Sequence, residues 1–406
     1  VWFGRCCESR ENRDIVFCEG VLMRVVDGLL EMIRGQQAEM LRFLSELVLA
    51  ESPSPEAQAQ AVPLALLREA LVDLGFEVLL LPGESSGGQL LARPAVGSPW
   101  AAAETQLLLG HCDTVWPRGT LQEMPLLIEE NVVRGPGVFD MKGGLTQMIF
   151  ALRALRALGL KPALMPLVFV NSDEEIGSLE SRALIEQLAQ EAQRAFILEP
   201  ALGPEGMLKT ARKGVGHFEL RVHGRAAHAG LDPEKGVSAI LAMALLVQEL
   251  HNLTDLQNGI SVNVGTIEGG LRSNVIAPQS RATIDARAQT VADAQRLEQQ
   301  ILNLASPLAG VTVEVSGGFN RQPLERTERN KALWRRAEAA GRELGLTLQQ
   351  GSAGGGSDGN FTSQFTATLD GLGPVGDGAH ARHEFLLIDK MLERTALLAL
   401  LLLEPG

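Results

Sequence analysis

Long apolar runs are missing from this sequence. None approaches the ~18–20 residues that a membrane span requires. "ALLALLLL" near the C-terminus reads as the buried face of a last helix. Basic charge is also scarce: 36 Lys and Arg stand against 49 Asp and Glu, for a net charge of −13. A nucleic-acid partner needs a basic face to displace counterions, so that class is excluded. A small anionic substrate is not, because a few local Arg or Lys side chains can still make a positive pocket. Four cysteines in 406 residues do not make a disulfide framework. Cys6, Cys7 and Cys18 crowd the first eighteen residues, and Cys112 stands alone.

What is present is globular. The chain is 45% hydrophobic and 21% charged, enough apolar material for more than one core. At ~100–200 residues per domain, its length suggests two or three domains. The stretch "VWFGRCCESRENRDIVFCEGVL" mixes charge and aromatics without period and lacks the apolar core and cleavage site of a signal peptide. Residues 1–22 are expected to be an ill-packed extension or a misassigned start, and the protein to be cytoplasmic. From Met23 apolar residues recur every three to four positions, as in an amphipathic helix.

Between Pro63 and Gly159, helix signals ("PLALLREALVDLG", "GGLTQMIFALRALRALG") alternate with apolar strands ("FEVLLLP", "TQLLLGH"). "PLVFV" and "RAFILEP" continue the series, with "SRALIEQLAQEAQR" between them. This pattern predicts an α/β fold with a mostly parallel sheet and helices on both faces. Ligands of such sheets bind beyond the carboxyl ends of the strands. Near Lys213 the texture changes to alternating polar and apolar residues, beginning with "GHFELRVHG". Six elements then follow in the order β-α-β-β-α-β, a ferredoxin-like α+β pattern. The expected organisation is a catalytic domain in two parts, 23–212 and 320–406, interrupted by an inserted domain over 213–319.

Several chemistry-bearing residues fall just past predicted strand ends. In "LLLGHCDT", His111 and Asp113 share one side of an extended backbone, so Asp113 can orient the His111 ring from behind while the ring binds a metal. Cys112 points the other way and reads as a small buried residue. In "GVFDMKGG", Asp140 precedes a helix start whose positive end keeps a carboxylate ionised; a plain N-cap is the simpler reading. "NSDEEIGS" puts Asp173, Glu174 and Glu175 after one strand, and "ILEP" puts Glu199 after another. Like charges in a row repel, so "DEE" is either a solvated turn or a set neutralised by cations. Asp173 is the least explained, with a place as an acceptor behind a ligand. "GDGAHARHEF" adds His380 and His383, and the glycines of "GGGSDG", including Gly355, suggest close backbone approach beside a site. Two histidines and several carboxylates on one sheet edge make the inventory of a two-metal hydrolytic site, and zinc favours such mixed nitrogen and oxygen donors.

The motifs "GHCDTV", "GPGVFDMKGG", "NSDEEIGS", "ILEP", "RAAHAG", "GGGSDGN" and "GAHARHE" occur in order. In this the sequence resembles the dinuclear zinc family of glutamate carboxypeptidases, aminoacylases and acetylornithine or succinyl-diaminopimelate deacylases, from about Gln37 to the end. It is most similar to the glutamate carboxypeptidases, because Glu199 stands where aminoacylase-type members more often carry Asp. The resemblance implies two Zn2+ per subunit, with Co2+ or Mn2+ as substitutes. His111 and Glu199 would hold one ion, Glu175 and His380 the other, with Asp140 bridging. His380 fits the family's spacing better than His383. Glu174 would be the general base, with Asp113 supporting His111. His228 resembles a histidine that reaches across a homodimer, formed through the inserted lid domain, to polarise the scissile carbonyl. Asn274, Arg287 and Gly355 would contact substrate.

The implied reaction is hydrolysis of the amide that joins a C-terminal amino acid, glutamate foremost, to an N-acyl or peptidyl group. An N-acyl amino acid deacylase and a non-catalytic metal-binding homologue are the alternatives.

Overall fold

The computed structural model describes residues 19–405. Cys6, Cys7, Cys18 and nearly all of the expected N-terminal extension lie outside these residues. The first helix, α1 (Glu19–Gly35), begins four residues before the predicted switch at Met23. Its apolar stripe extends one turn further back, with Leu22 packed on the core ahead of Val26, Leu29 and Ile33.

Helices α2 (Gln37–Leu49) and α3 (Ala61–Asp73) lead into strands β1 (Phe76–Leu81), β2 (Gln89–Pro94) and β3 (Thr105–His111). Then come α4 (Gly143–Ala157), β4 (Met165–Asn171), α5 (Arg182–Glu191) and β5 (Ala192–Ile197). The inserted segment contributes β6 (Gly214–His223), α6 (Ala239–His251), β7 (Ser261–Gly269), β8 (Gln279–Ala288), α7 (Val291–Leu302) and β9 (Thr312–Arg321). The chain returns through α8 (Glu328–Glu343), α9 (Gly359–Phe365), β10 (Ala367–Leu369) and α10 (Ile388–Leu403).

The main sheet has six strands in the order β1-β2-β4-β3-β5-β10. β4, β3, β5 and β10 run parallel, and β2 pairs antiparallel with both β1 and β4. Successive residues of β3 serve opposite layers, as a strand's period of two demands. Leu108 packs in the core beneath α4 and α10, whereas Leu107 and Leu109 pack with Ile185 of α5 and Phe361 of α9. Burial on both faces is why these strands read as continuous apolar runs. The "ALLALLLL" run lies in α10, where Leu397, Leu398, Leu401 and Leu402 are fully buried. Among the described residues no helix is long and apolar enough to cross a membrane.

The inserted domain is an antiparallel four-stranded sheet in the order β7-β8-β6-β9. Phe218, Leu220 and Val222 of β6 face α6 and α7, and the alternate residues face away. The polypeptide crosses between the domains at Lys213 and at Gln322. One side chain spans both crossings: Asn360 Nδ2 donates to Lys213 O (3.1 Å) and Gln322 O (2.7 Å).

Candidate metal centre and active site

The parallel strands end together, and their ends carry the site. His111 is the last residue of β3, and Glu199 lies two residues beyond β5. The start of α4 packs on this edge because Gly144 has no side chain: a Cβ there would sit 2.0 Å from Leu198 O. That contact sets Asp140, just upstream, beside Glu199. "DEE" follows β4 as a single helical turn, and His380 enters from a loop with a left-handed φ of 60°.

Two groups of side chains share Asp140. In the first, Nε2 of His111 lies 3.3 Å from Asp140 Oδ1 and 3.4 Å from Glu199 Oε1. In the second, Nε2 of His380 lies 3.5 Å from Asp140 Oδ2 and 3.1 Å from Glu175 Oε2. His383 stays outside, exposed and 4.0 Å from Asp377.

The protonation states follow from this crowding. Burial opposes charge on His111, but Asp113, Asp140 and Glu199 raise its pKa well above the usual value. Burial opposes ionisation of Asp140, yet His111 and His380 hold its carboxyl far below the carboxylate range. Asp140 and Glu175 raise His380 to about 10, while burial pushes Glu175 up to about 7. Burial and Asp140 would raise Glu199, but Arg212, His111 and Lys209 hold it low.

These residues fit divalent cations on the evidence of their own atoms. Among the described residues, His111 Nε2, Asp140 Oδ1 and Glu175 Oε1 are buried with no hydrogen-bond partner. Buried polar atoms in folded proteins are almost always satisfied, so these three mark places for an electrophile. The two groups offer two imidazole nitrogens and carboxylate oxygens, a donor set suited to zinc.

Neighbouring groups fix these side chains. Asp113 O lies 3.1 Å from His111 Nδ1. The Asp113 carboxylate accepts from Ser54 Oγ (2.7 Å) and from the backbone N–H of Glu174 (3.3 Å) and Glu175 (3.2 Å), tying two strand ends together. Glu174 is buried with its Oε1 3.1 Å from Arg321 Nη1. Burial pushes its pKa well above the carboxylate range, against the pull of Arg321. Asp173 does not stand behind a ligand. It accepts from Glu180 N (2.8 Å), Ser181 N (3.2 Å) and Ser181 Oγ, holding the chain as it enters α5. Its carboxylate is taken up by Glu180 and Ser181 at the start of α5, so the third acid of "DEE" is structural.

Sequence reasoning missed three supports. Glu384 accepts the backbone N–H groups of Gly137 (2.9 Å), Phe139 (2.9 Å) and Asp140 (3.0 Å), and the indole N–H of Trp116 (2.8 Å). Arg212 donates to Glu199 Oε2 (3.0 Å) and pairs with Asp370 (2.7 Å). Arg321 grips Glu174. The only sequence trace of the first was the acidic-aromatic pair after "GAHARH".

A cleft of about 780 Å³ opens between the domains, lined by Glu174, Glu175, His380, Arg321, Arg287, Gly355, Val215 and Phe319. Arg287 is paired with Asp285 at 2.7 Å. His228 and Asn274 lie elsewhere, both exposed on the inserted domain. His228 Nδ1 accepts from Gly230 N and Leu231 N, each at 3.1 Å, and the Asn274 carbonyl accepts from Ala229 N.

A two-domain α/β protein with two adjoining sets of candidate metal ligands at one sheet edge is the class that fold and site define. Residues 107–404 match the model of Peptidase family M20/M25/M40, and the chain belongs to that family of metal-dependent hydrolases. It is 28% identical over 391 residues to carboxypeptidase G2 of Pseudomonas sp. (strain RS-16), covering 93% of this chain and 92% of that one. It is 31% identical over 249 residues to acetylornithine deacetylase of Salmonella arizonae, covering 57% of this chain and 61% of the relative. The fold matches that of aminopeptidase PepT from Bacillus cereus with a TM-score of 0.72, at 20% identity, over 90% of this chain and 98% of that one.

Proposed function

We propose that the protein hydrolyses the amide bond between an N-acyl or peptidyl group and a C-terminal amino acid, most readily glutamate. The observation that carries this reading is the pair of ligand groups sharing Asp140, with the buried Glu174 carboxyl beside them. His111 and Glu199 would hold one zinc ion, Glu175 and His380 a second, and Asp140 would serve both. When bound, the ions supply Lewis acidity to a water molecule and to the scissile carbonyl.

The chain's own groups do the rest. Glu174 takes the proton of the attacking water and delivers it to the leaving amine; its burial favours a carboxyl poised to exchange that proton. Asp113 holds the His111 ring and the backbone of the Glu174 turn in one arrangement. Arg287, at the cleft wall, grips the substrate's terminal carboxylate in the bidentate manner that Arg favours, exchanging Asp285 for it. Gly355 lets substrate approach the backbone.

His228 and Asn274 are outside the cleft of one chain, so in this reading they serve a second copy. The lid supports such a dimer: α6 exposes Ile240, Leu241 and Leu245, and β7 is an edge strand of its sheet. An unpaired edge beside an apolar helix face is a surface that proteins cover. The likeness to acetylornithine deacetylase favours a second reading, removal of the acyl group from an N-acyl amino acid, by the same chemistry.

A panel of a folyl-glutamate, an N-acyl-ornithine and a dipeptide, assayed with wild type and Glu174→Gln, tests both. Wild type is expected to prefer the glutamate conjugate, and the variant to keep its metal and lose turnover. An active variant, or one stripped of metal, would count against the assignment, and preference for N-acyl-ornithine would select the deacylase.

A further inference from the structure

We propose that Arg321 is a positioning residue for Glu174, so that a strand of the lid domain sets the carboxylate which acts as base in the catalytic domain. The inference rests on the reading of Glu174 given above.

The backbone of Arg321 belongs to the lid. It is the last residue of β9 and pairs with Val215 at the start of β6. Its side chain leaves the lid and is buried in the catalytic domain, only 7% exposed. There Nη1 donates to Glu174 Oε1 and Nη2 to Glu174 O, each at 3.1 Å. Nη2 also donates to Ser178 Oγ (2.8 Å) and Asp358 Oδ1 (3.1 Å), and the Phe361 ring lies 5.1 Å from the guanidinium. Asp358 is itself fixed by Asn171 Nδ2 (2.7 Å) at the end of β4. The guanidinium is therefore oriented by groups of the main sheet before it meets Glu174.

Contact with both the carboxylate and the carbonyl of one residue fixes a side-chain torsion as well as a backbone position. A planar, five-donor fork can do that; a lysine ammonium, a point charge on a flexible stem, cannot. Both terminal nitrogens are occupied by protein acceptors. The remaining one, Nε, is buried with no hydrogen-bond partner among the described residues. The other crossing between the domains repeats the arrangement, with Arg212 one residue before Lys213 and on Glu199. Each covalent connection to the lid thus ends in an arginine on a carboxylate of the candidate site.

The test compares full-length wild type, Arg321→Lys and Glu174→Gln, all zinc-loaded, on the best substrate of the panel. A misplacement of about 1 Å can cost ~100-fold in rate, so Arg321→Lys is expected to lower kcat by roughly 10- to 100-fold. Its KM and metal content should match wild type. Wild-type kcat in that variant overturns the proposal, and so does a raised KM at unchanged kcat, which would make Arg321 a substrate ligand. If Glu174→Gln is active, the base assignment itself falls. If Glu174→Gln is silent while Arg321→Lys is fully active, only the positioning role falls. Should Arg321→Lys not fold, Ser178→Ala removes one acceptor of the fork and leaves Glu174 untouched. It is expected to lower kcat by about threefold, the order of one hydrogen bond, at constant KM; unchanged kcat overturns the proposal.

Discussion

The carboxylate of Glu384 accepts the backbone N–H of Asp140 at 3.0 Å. The residue shared by both ligand groups is thus held from behind by an acid 244 positions away in the chain. Three further donors converge on the same carboxylate, so its loss frees the whole loop from Gly137 to Asp140. Groups that orient metal ligands typically contribute 10- to 100-fold to affinity, so Glu384→Ala is expected to weaken metal binding by about that factor. Titration of the apo-protein with zinc measures it, and excess zinc should restore much of the activity.

Metal removal should destabilise the fold as well as silence it. Without a cation, His111 Nε2, Asp140 Oδ1 and Glu175 Oε1 remain buried with no hydrogen-bond partner among the described residues. A ligand that binds only the folded state stabilises it by ~2.7 kcal/mol at a hundredfold excess over Kd. Melting with and without chelator should show a clear fall, reversed by zinc. Binding must displace protons from His380, held at about 10, and from Glu175, at about 7. The gain on zinc addition should therefore be larger at pH 8 than at pH 6.

Glu180 makes a separate acid-sensitive clip. Its carboxylate accepts from Ser85 Oγ and Ser86 Oγ, each at 2.6 Å, and from Glu84 N at 3.1 Å. Slight burial opposes ionisation, but the Ser85 and Ser86 hydrogen bonds outweigh it and lower the pKa from 4.5 to about 2. A depressed carboxylate stabilises the fold above its unfolded value, and that contribution is lost as pH falls. Wild type should melt above Glu180→Gln at pH 6, and the gap should close between pH 4.5 and about 2. A gap independent of pH would show that the charge is not what matters.

A dimer that shares residues between copies predicts complementation. His228→Ala and Glu174→Gln are each expected to be inactive. In a twofold-symmetric dimer, random exchange of equal amounts makes half the dimers hybrid, each with one intact site, so about a quarter of wild-type activity should return. No recovery on mixing, with exchange shown by mass, would show that His228 does not act across the dimer.

The parallel strands β3, β4 and β5 were legible because strands buried on both faces leave unbroken apolar runs. β2 escaped because "QLLARP" is short, ends in proline, and places Arg93 at an exposed position. His111, Asp140, Glu175 and Glu199 were legible because each lies at or just past a strand or helix end that local pattern marks, whereas His380 lies in a loop and only the family's spacing pointed to it. Their supports were not: Arg321 and Glu174 are 147 residues apart, and no local signal joins them. Asp173 shows the opposite error, in which a conspicuous acid is consumed by the start of the next helix.

The single amide of Asn360 that bridges Lys213 O and Gln322 O places the two ends of the insertion side by side. Such ends suggest a detachable cassette, which a short linker could replace. Excision between them would nevertheless carry Arg321 away with the discarded piece. A catalytic domain trimmed in this way would keep every candidate metal ligand but lose the guanidinium that meets Glu174, so here the boundary of architecture is not the boundary of function.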